Sequence, residues 1–400
     1  MYYVTVKAGS SVRQMSIEEL LFAKQIKPVF TGGDGTTTRT YKFDDVPDKY
    51  YLGRSVRQII NRLREFNQST EYLRNYNRND LYDHFKIPKS SGGLRPIDAP
   101  KAELKAALTR LADILKNECG GLYHTSAYAY VTGRCHFMGL QKHQRNNSWW
   151  YQKLDLSNFF GSTTLEFAMK MLSLVFPFSE VMAWEDGKEE LTKAIELGFL
   201  NGGLPQGTTL SPSLTNIIMI PIDFEFNSKL RHEEEQFVEI RYADDFIISS
   251  IHKFDPKHVE GLLRQTLKEF DAPYIIKDEK NRFGSRAGKN WNLGLMINAE
   301  NKITVGYKKK RELKAMLTSY ILDTKNGITW ELGDVQHMEG VKNYVAQIEK
   351  ETTKEIINHL NQKFEVDVED MIKKQLHGSV VVENELDDTI KDVEDFWSLL

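Results

Sequence analysis

The sequence feature that most constrains the fold is the stretch VEIRYADDFIISS, residues 238–250. Two neighbouring aspartates, Asp244 and Asp245, stand between two short runs of β-forming residues. This pattern predicts a β-hairpin whose tight turn lies around Ala243 and Asp244. Two adjacent carboxylates repel each other, so a partly buried hairpin that carries them needs a nearby cation to keep both ionised.

A divalent cation would meet that need, since Mg²⁺ prefers oxygen ligands. Two such ions, about 3.5–4 Å apart, can stabilise both the attacking and the leaving oxygen of a phosphoryl transfer. That arrangement needs a further carboxylate, and the segment KLDLSNFF offers Asp155 at the end of an apolar strand. Taken alone, however, paired aspartates beside a turn are more often simply an exposed turn.

The length, composition and cysteine content limit the class of protein that this chain can be. A chain of 400 residues with 40% hydrophobic and 27% charged residues predicts a globular protein of two or three subdomains. No apolar run approaches the ~20 residues that span a bilayer, and the N-terminal residues lack a signal-peptide pattern. Cys119 and Cys135 form no metal-binding spacing. We therefore expect a reduced, cytoplasmic protein without structural zinc and without a membrane partner.

The charge is unevenly distributed along the chain. The net charge is −3, but residues 379–400 carry seven acids and one lysine, so the remaining residues sum to +3. A basic cluster, YKKKRELK, occupies residues 307–314. Local charge matters more than the total for a polyanionic partner, so nucleic acid binding is compatible with this composition. The alternative interpretation of the cluster is the solvated first turn of a helix.

Periodic apolar positions predict several helices. One stripe comprises Val56, Ile59, Ile60, Leu63 and Phe66, and a second comprises Leu104, Leu108, Leu111 and Leu115. The segment KIPKSSGGLRPIDAP predicts a hairpin, and TGGDGTTTRT, residues 31–40, predicts a loop. After residue 308 the pattern becomes one of amphipathic helices, with Asp334 as the predicted cap of one of them.

Six motifs, in order between residues 85 and 364, resemble those of reverse transcriptases of the bacterial retron and group II intron lineage. They are FKIPKSSGGLRPIDAPKAELK, LDLSNFF, GLPQGTTLSPSLTN, YADD, IIKDEKNRF and NLGLMINAENKITVG. The resemblance implies an α+β right-hand polymerase, with fingers and an antiparallel palm sheet followed by an α-helical thumb. The implied boundaries are an N-terminal extension and start of the fingers at 1–80, fingers and palm at 81–305, thumb at 306–378 and an acidic tail at 379–400.

The resemblance also implies a set of site residues. Asp155 and Asp244 match direct ligands of two Mg²⁺ ions, which Mn²⁺ can replace, and Asp245 matches a less direct one. Lys280 resembles a lysine that protonates the leaving pyrophosphate, although a solvated lysine is nearly as good an interpretation. Further matches for nucleotide binding are Lys89 and Arg95 as a triphosphate clamp, Phe160 as a steric gate beside a core Phe159, and Gln206 with Gly207. Matches for nucleic acid binding are Tyr242, equally a packed tyrosine, and Lys308, Lys309, Lys310, Arg311 and Lys314.

Two departures narrow the expected subclass. Retrons usually carry Asn-Ala-x-x-His before the first aspartate motif, where this chain has GLQKH and keeps only His143. They also carry Val-Thr-Gly before the grip segment, where this chain has NLG. We therefore expect a stand-alone bacterial enzyme like the abortive-infection and defence-associated types. Expected partners are a structured non-coding RNA template, deoxynucleotides, the DNA product, and a homo-oligomer or an accessory defence protein.

Three functions follow as hypotheses. The first is RNA-directed DNA synthesis in anti-phage defence. The second is DNA synthesis without a nucleic acid template, or primed by a protein side chain. The third is an RNA-binding regulator that keeps the polymerase fold but does not depend on synthesis. The complete set of three aspartates and the LPQG motif argue against the third. The segment 133–147 has no assigned role beyond an expected RNA contact.

Overall fold

The structure, a computed structural model, describes residues 3–8, 11–16, 28–29, 40–42, 52–88, 92–119, 122–288 and 291–378. Four short strands near the N-terminus form one sheet in the order β2-β1-β4-β3. They are β1 (Tyr3–Ala8), β2 (Ser11–Ser16), β3 (Pro28–Val29) and β4 (Thr40–Lys42). Strand β1 is antiparallel to β2 and parallel to β4. Most of the predicted loop at residues 31–40 lies outside the described residues.

The next elements include the two helices that the apolar stripes predicted and the predicted hairpin between them. They are α1 (Leu52–Thr70), short 3₁₀ turns at Glu71–Asn75 and Arg78–Leu81, β5 (Tyr82–Pro88), β6 (Leu94–Pro100) and α2 (Ala102–Cys119). All nine predicted stripe positions of α1 and α2 are buried. Burial of each such side chain stabilises the fold by about 1.5–3 kcal/mol. Strands β5 and β6 form the predicted hairpin, in which Ile87 faces Arg95.

The central part of the chain is largely helical. Its elements are α3 (His136–Arg145), β7 (Trp150–Ser157), α4 (Phe159–Ser162), α5 (Leu165–Leu172), α6 (Phe178–Met182), α7 (Glu185–Glu196), α8 (Leu210–Ile218) and α9 (Ile220–Arg231). Eight of the nine residues of α8 are buried, which explains its continuous apolar and small-residue sequence.

The remaining elements alternate short strands with helices and end in four consecutive helices. They are β8 (Val238–Tyr242), β9 (Asp245–Ser250), α10 (Pro256–Glu269), β10 (Ile275–Ile276), a 3₁₀ turn at Asp278–Lys280, β11 (Arg282–Ser285), β12 (Trp291–Asn292), β13 (Leu295–Ile297), β14 (Ile303–Thr304), α11 (Gly306–Lys325), α12 (Leu332–Ile348), α13 (Lys350–Phe364) and α14 (Val368–Gly378).

A five-stranded sheet positions the aspartate motifs. Its main order is β10-β7-β9-β8, and β11 also pairs with β7. Strands β8 and β9 form the predicted hairpin, with a turn at Ala243 and Asp244. Strands β12, β13 and β14 make a separate three-stranded sheet. Together with the helices these sheets confirm the predicted α+β class.

The chain divides into two compact units, each built from separate segments. The first comprises residues 1–134, 153–247 and 255–281, and the second comprises 135–152, 248–254 and 282–400. The core of the second unit includes the apolar sides of the last four helices. Leu313, Tyr320, Val335 and Leu360 are among its buried residues.

One predicted helix cap is wrong. Helix α12 begins at Leu332, its N-cap residue is Glu331, and Asp334 lies in the first turn. An acidic side chain there still interacts favourably with the partial positive charge of the helix N-terminus. Within the described stretches, no helix combines the length and the apolar character needed to cross a bilayer.

Candidate active site

The turn that carries Asp244 rests on a buried ion pair. The Arg241 guanidinium, in β8, donates to both carboxylate oxygens of Asp223 at 2.7 Å. It also donates to Asn216 Oδ1 at 3.1 Å and to the carbonyl of Ala243 at 3.2 Å. Ala243 has a φ of 56°, in the left-handed region that a residue with a Cβ rarely adopts. The bond from Arg241 therefore helps to hold this strained turn.

The sheet brings Asp155 beside the turn. Asp155 lies near the end of β7, and only 5% of its surface is exposed. The backbone N–H of Leu156 donates to the carbonyl of Asp244 at 3.0 Å, so the two aspartates stand on neighbouring strands. On the other side, the N–H of Lys277 donates to the Asp155 carbonyl at 2.8 Å. Residues about 90 positions apart in the sequence thus meet at one end of the sheet.

Two lysines partner two of these carboxylates. Lys280 Nζ donates to both carboxylate oxygens of Asp155 at 2.8 Å. Lys153, two residues before Asp155 in β7, donates to Asp245 Oδ2 at 2.6 Å. The buried Asp245 Oδ1 has no hydrogen-bond partner in the described part of the chain. Each lysine offsets part of the repulsion among the acids.

Burial and mutual repulsion disfavour ionisation of the two turn aspartates. Burial raises the pKa of Asp244, its own backbone N–H opposes the rise, and the charge of Asp155 adds to it. Burial raises the pKa of Asp245 to about 6, against the opposing charge of Lys153 and with further contributions from Asp244 and Asp155. Burial alone would lower the pKa of Lys280, but its bond to Asp155 and the three carboxylate charges raise it.

The donor set suits a hard divalent cation, because all three side chains offer carboxylate oxygens. The buried, unpartnered Asp245 Oδ1 is a further sign that a cation is accommodated here. As the side chains stand, no group of three or more His, Cys, Asp or Glu among the described residues is arranged to hold a metal ion. Both oxygens of Asp155 accept hydrogen bonds from Lys280, so a cation that bound there would share these oxygens with the ammonium group or displace it.

The two phenylalanines after Asp155 differ in burial. Phe159 is 4% exposed and packs against Tyr274 with ring centroids 5.0 Å apart. Phe160 is half-buried. Its backbone carbonyl accepts a hydrogen bond from the N–H of Leu204 at 3.1 Å. The structure thus puts Phe159 in the core and leaves part of Phe160 accessible beside the loop that precedes α8.

That loop contacts the β5–β6 hairpin. The N–H of Asp98 donates to the carbonyl of Gln206 at 2.7 Å. Gly207 has a φ of +119°, and a Cβ there would lie 3.0 Å from the Asp98 carbonyl oxygen and from Ile97 Cγ2. A larger residue would therefore strain the backbone and crowd the hairpin. The buried Oε1 of Gln206 finds no hydrogen-bond partner within the described residues.

The predicted cationic residues differ in their exposure and in whether they form ion pairs. Arg95 is exposed on β6, whereas Lys89 lies outside the described residues. In helix α11, Lys309 pairs with Glu312 at 3.2 Å and Lys310 pairs with Glu349 at 3.0 Å. Lys308, Arg311 and Lys314 are exposed on the same helix. Tyr242, the last residue of β8, is half-buried next to the turn.

The sequence interpretation missed three residues at this site: Tyr130, Lys153 and Arg241. Lys153 could have been predicted from the sequence, because alternate residues of a strand point to the same face and Lys153 precedes Asp155 by two residues. Arg241 could not, because its partner Asp223 lies in helix α9 and no local pattern connects the two residues. Tyr130 is placed by a pairing that local sequence does not reveal, the isolated parallel bridge between Ala127 and Arg241.

Within the segment 133–147, His143 is buried and cannot itself contribute to the expected RNA contact. Its side chain is 0% exposed, and its Nδ1 is 2.6 Å from Ser249 Oγ. Burial lowers the pKa of His143 to about 3, so the ring is neutral at physiological pH. Ser249 in turn donates to Ser148 Oγ at 2.7 Å. His143 therefore belongs to a buried polar network rather than to a nucleic acid surface.

Comparison with known proteins adds a family assignment to this geometry. Residues 87–314, more than half of the chain, match the family described as reverse transcriptase (RNA-dependent DNA polymerase). The retron Ec83 reverse transcriptase of Escherichia coli is 29% identical over 308 residues, which cover 74% of this chain and 91% of that protein. The retron Mx162 reverse transcriptase of Myxococcus xanthus is 25% identical over 283 residues, covering 66% and 57%.

Among solved structures, telomerase from Candida albicans in complex with the TWJ fragment of telomeric RNA aligns with a TM-score of 0.43 and 13% identity. The alignment covers 73% of this chain and 58% of the telomerase chain.

Proposed function

This chain belongs to the reverse transcriptase family of RNA-directed DNA polymerases, and we propose that it copies a structured RNA into DNA by a two-metal-ion phosphoryl transfer at Asp155, Asp244 and Asp245. The observation that carries the proposal is the meeting of these carboxylates at one end of a sheet, beside two lysines. A merely structural hairpin has no need of three acids at one place.

The carboxylates would hold the cations in unequal ways. Asp155 and Asp244 are the expected direct ligands of both ions, with Mg²⁺ as the ion and Mn²⁺ as a substitute. Asp245 is the expected less direct ligand; its Oδ2 accepts from Lys153, which leaves Oδ1 as the oxygen that could face a cation. When bound, such ions activate the primer 3′-hydroxyl and neutralise the charge on the phosphates.

Lys280 would have one role before a cation binds and a second role afterwards. Before binding, its ammonium group neutralises Asp155 through two hydrogen bonds of 2.8 Å. Its side chain is 50% exposed, so it can swing away from Asp155 without breaking a packed core. In the proposed reaction, Lys280 would donate a proton to the leaving pyrophosphate.

Five further residues would bind and select the nucleotide. Arg95, exposed on the hairpin, can form paired hydrogen bonds with phosphate oxygens, and Lys89 would add a second cation to the clamp. Gln206 and Gly207 lie against the same hairpin. The accessible part of Phe160 would stand against the sugar 2′ carbon, where a hydroxyl group would clash, so deoxynucleotides are selected.

The exposed cations of helix α11 and the names of the similar proteins support the proposed nucleic acid partners. Lys308, Arg311 and Lys314 give helix α11 an exposed cationic face that suits phosphates, and duplexes of RNA with DNA are held mainly by shape and backbone. The retron names of the curated relatives support a dedicated non-coding RNA as template. We place the activity in the bacterial cytoplasm and in anti-phage defence, with a homo-oligomer or an accessory defence protein as a further partner.

The test is isolation of the protein from cells with its bound nucleic acid, followed by sequencing of RNA and DNA. Wild type is compared with Asp244→Asn, and Asp334→Asn, an exposed acid of helix α12, is the matched control. We expect one defined RNA with complementary DNA in wild type and control, and no DNA with Asp244→Asn.

Other outcomes discriminate among the alternatives. DNA of simple sequence with no matching RNA would establish untemplated or protein-primed synthesis instead. RNA without DNA in all three samples would overturn the polymerase proposal in favour of a binding protein.

A further inference from the structure

The segment before helix α3 runs alongside the catalytic hairpin. Ala127 and Arg241 form a parallel bridge, in which Arg241 N–H donates to the Ser126 carbonyl at 2.7 Å and Tyr128 N–H donates to the Arg241 carbonyl at 2.9 Å. The Asn216 side chain extends this connection, because it binds the carbonyl of Ala129 and the guanidinium of Arg241, which in turn donates to the carbonyl of Ala243. Tyr130 and Asp244 each follow directly after one of these tied carbonyls, so Tyr130 lies close to the turn.

Several hydrogen bonds fix the backbone around Tyr130. Arg134 Nη1 donates to the carbonyls of His124 at 2.6 Å and Ala127 at 2.7 Å. Asn216 Nδ2 donates to the carbonyl of Ala129 at 2.6 Å, and the same side chain accepts from Arg241. The segment and the hairpin are thus tied to one common amide.

Tyr130 itself has a strained backbone. Its φ is 57°, in the left-handed region that a tyrosine rarely adopts. Such conformations cost of order 1–3 kcal/mol and persist where the surroundings impose them, often at functional sites. The hydrogen bonds around the segment supply that constraint.

The residue is presented to solvent although its neighbours are packed. Ala127 and Ala129 are each 1% exposed and Val131 is 9% exposed, whereas Tyr130 is 44% exposed. A tyrosine that served only to fill the core would be buried with them. The strained conformation thus directs a large aromatic side chain outward next to Asp244.

The charges that act on the Tyr130 hydroxyl are consistent with a position next to Asp244. The exposed fraction of Tyr130 is 44%, so its burial is partial. That partial burial raises the pKa of the phenol, the charges of Asp244 and Tyr242 add to the rise, and the positive charge of Arg95 opposes it. Tyr130 is therefore within electrostatic reach of the catalytic carboxylate and of the cation expected to bind triphosphate. The phenol stays neutral at physiological pH.

We propose that Tyr130 is a substrate-contacting residue whose ring packs against the base pair formed between the incoming deoxynucleotide and the template. The proposal rests on the function proposed above, because it places a nucleotide between Arg95 and Asp244. An aromatic ring stacks on any base, so Tyr130 would strengthen nucleotide binding without selecting a sequence.

The variants separate the ring from the hydroxyl and from the backbone. Tyr130→Phe keeps the ring, Tyr130→Leu removes its planarity, and Tyr130→Asn removes it with a residue that tolerates a positive φ. Tyr76→Leu is the matched control, since Tyr76 is also exposed, at 58%, in an extended backbone away from the turn. Thermal unfolding of each variant establishes that it is folded.

The first measurement is steady-state extension of a synthetic DNA primer on an RNA template. We expect Tyr130→Leu and Tyr130→Asn to raise KM for the deoxynucleotide about tenfold, with a smaller change in kcat, because stacking contributes to binding. Tyr130→Phe and Tyr76→Leu should match wild type. A KM unchanged in both Tyr130→Leu and Tyr130→Asn would overturn the proposal.

The second measurement does not need turnover. A chain-terminated primer is annealed to a template with 2-aminopurine at the position being copied, and fluorescence is recorded as the deoxynucleotide is added. Quenching in wild type and in Tyr130→Phe that is lost in Tyr130→Leu supports the contact. If wild type fails to extend the primer, the proposed function fails, and this measurement alone then decides the role of Tyr130. Quenching that persists in Tyr130→Leu, or that is absent from wild type, overturns it.

Discussion

Among single residues, Lys153 shows how the site is held before any cation binds. Its ammonium group is 2.6 Å from Asp245 Oδ2, and the two side chains are 23% and 17% exposed. A hydrogen bond between charged groups in such surroundings contributes more than one at the surface. Lys153 is therefore a positioning residue for Asp245.

Substitution of Lys153 tests that role. We expect Lys153→Met to lower the free energy of unfolding by about 1–3 kcal/mol, because the carboxylate of Asp245 is left without its partner. Lys153→Arg, which keeps the charge, should recover most of this loss. The measurement is urea unfolding in the presence of EDTA, and a Met variant as stable as wild type would show that the ion pair contributes nothing.

The pKa of Asp245 predicts a pH dependence of the metal-free protein. The folded-state pKa of about 6 lies above the ordinary value of ~3.9, so the folded protein binds this proton more tightly than the unfolded chain does. The corresponding stabilisation is fully present below about pH 4 and is lost as the pH rises through about 6. Its size is about 1–3 kcal/mol, reduced by the coupling among the acids.

The measurement for this prediction is the free energy of unfolding between pH 4 and 7, with EDTA present throughout. Asp245→Asn should lose the component that falls with rising pH, whereas Asp334→Asn should keep it. Identical pH profiles for wild type and Asp245→Asn would contradict the assignment of this proton to Asp245.

At the scale of elements, helix α11 carries two classes of cationic side chain. Lys309 and Lys310 are held by acids of the same unit, whereas Lys308, Arg311 and Lys314 are exposed. Phosphate contacts contribute about 0.7–0.9 each to the slope of log K against log salt. The exposed trio is therefore expected to dominate the salt dependence of binding.

Replacement of the exposed trio by glutamine tests this expectation. We expect the triple variant to bind an RNA–DNA duplex more weakly and to lose about 2–3 from the magnitude of the salt slope. Lys309→Gln, in which an ion-paired lysine is removed, should change the slope much less. Binding is measured by fluorescence anisotropy over a series of salt concentrations, and an unchanged slope in the triple variant would exclude the α11 face as a phosphate contact.

The elements also show what sequence patterns can predict. Helices α1 and α2 could be predicted because apolar residues recur at helical spacing from Val56 to Phe66 and from Leu104 to Leu115. The β8–β9 hairpin was readable from its two runs of β-formers. Strands β10, β12 and β14 have only two residues each, too few for any periodicity. Their existence depends on partners that are distant in the sequence.

The same distinction applies to the site. The positions of Asp155 and Asp244 were predicted from motifs, but the bond of Lys153 to Asp245 spans 92 residues. The burial of His143 depends on Ser249, which is 106 residues away. The segment that carries Tyr130 is joined to β8 by the bridge between Ala127 and Arg241. Contacts of this kind are decided by tertiary packing, so local spacing could not reveal them.

At the scale of the whole molecule, the predicted membership of the reverse transcriptase family is confirmed by the family match, which spans residues 87–314. The narrower placement among defence-associated enzymes stays a prediction. The domain boundaries drawn from the sequence also stay predictions, and the two compact units follow a different division, since each draws on three separate stretches of chain.

That interleaving has a consequence for biosynthesis. Residues 135–152 belong to the second unit, but most of their unit follows only after residue 281 has been made. At ~5–20 residues per second, the ribosome needs on the order of ten seconds to add the intervening stretch. During that interval helix α3 has been synthesised, but much of the unit that it packs into has not. Leu140, which is 0% exposed in the folded protein, is therefore not yet buried. A newly made chain is therefore most in need of chaperone protection during the middle of its own translation.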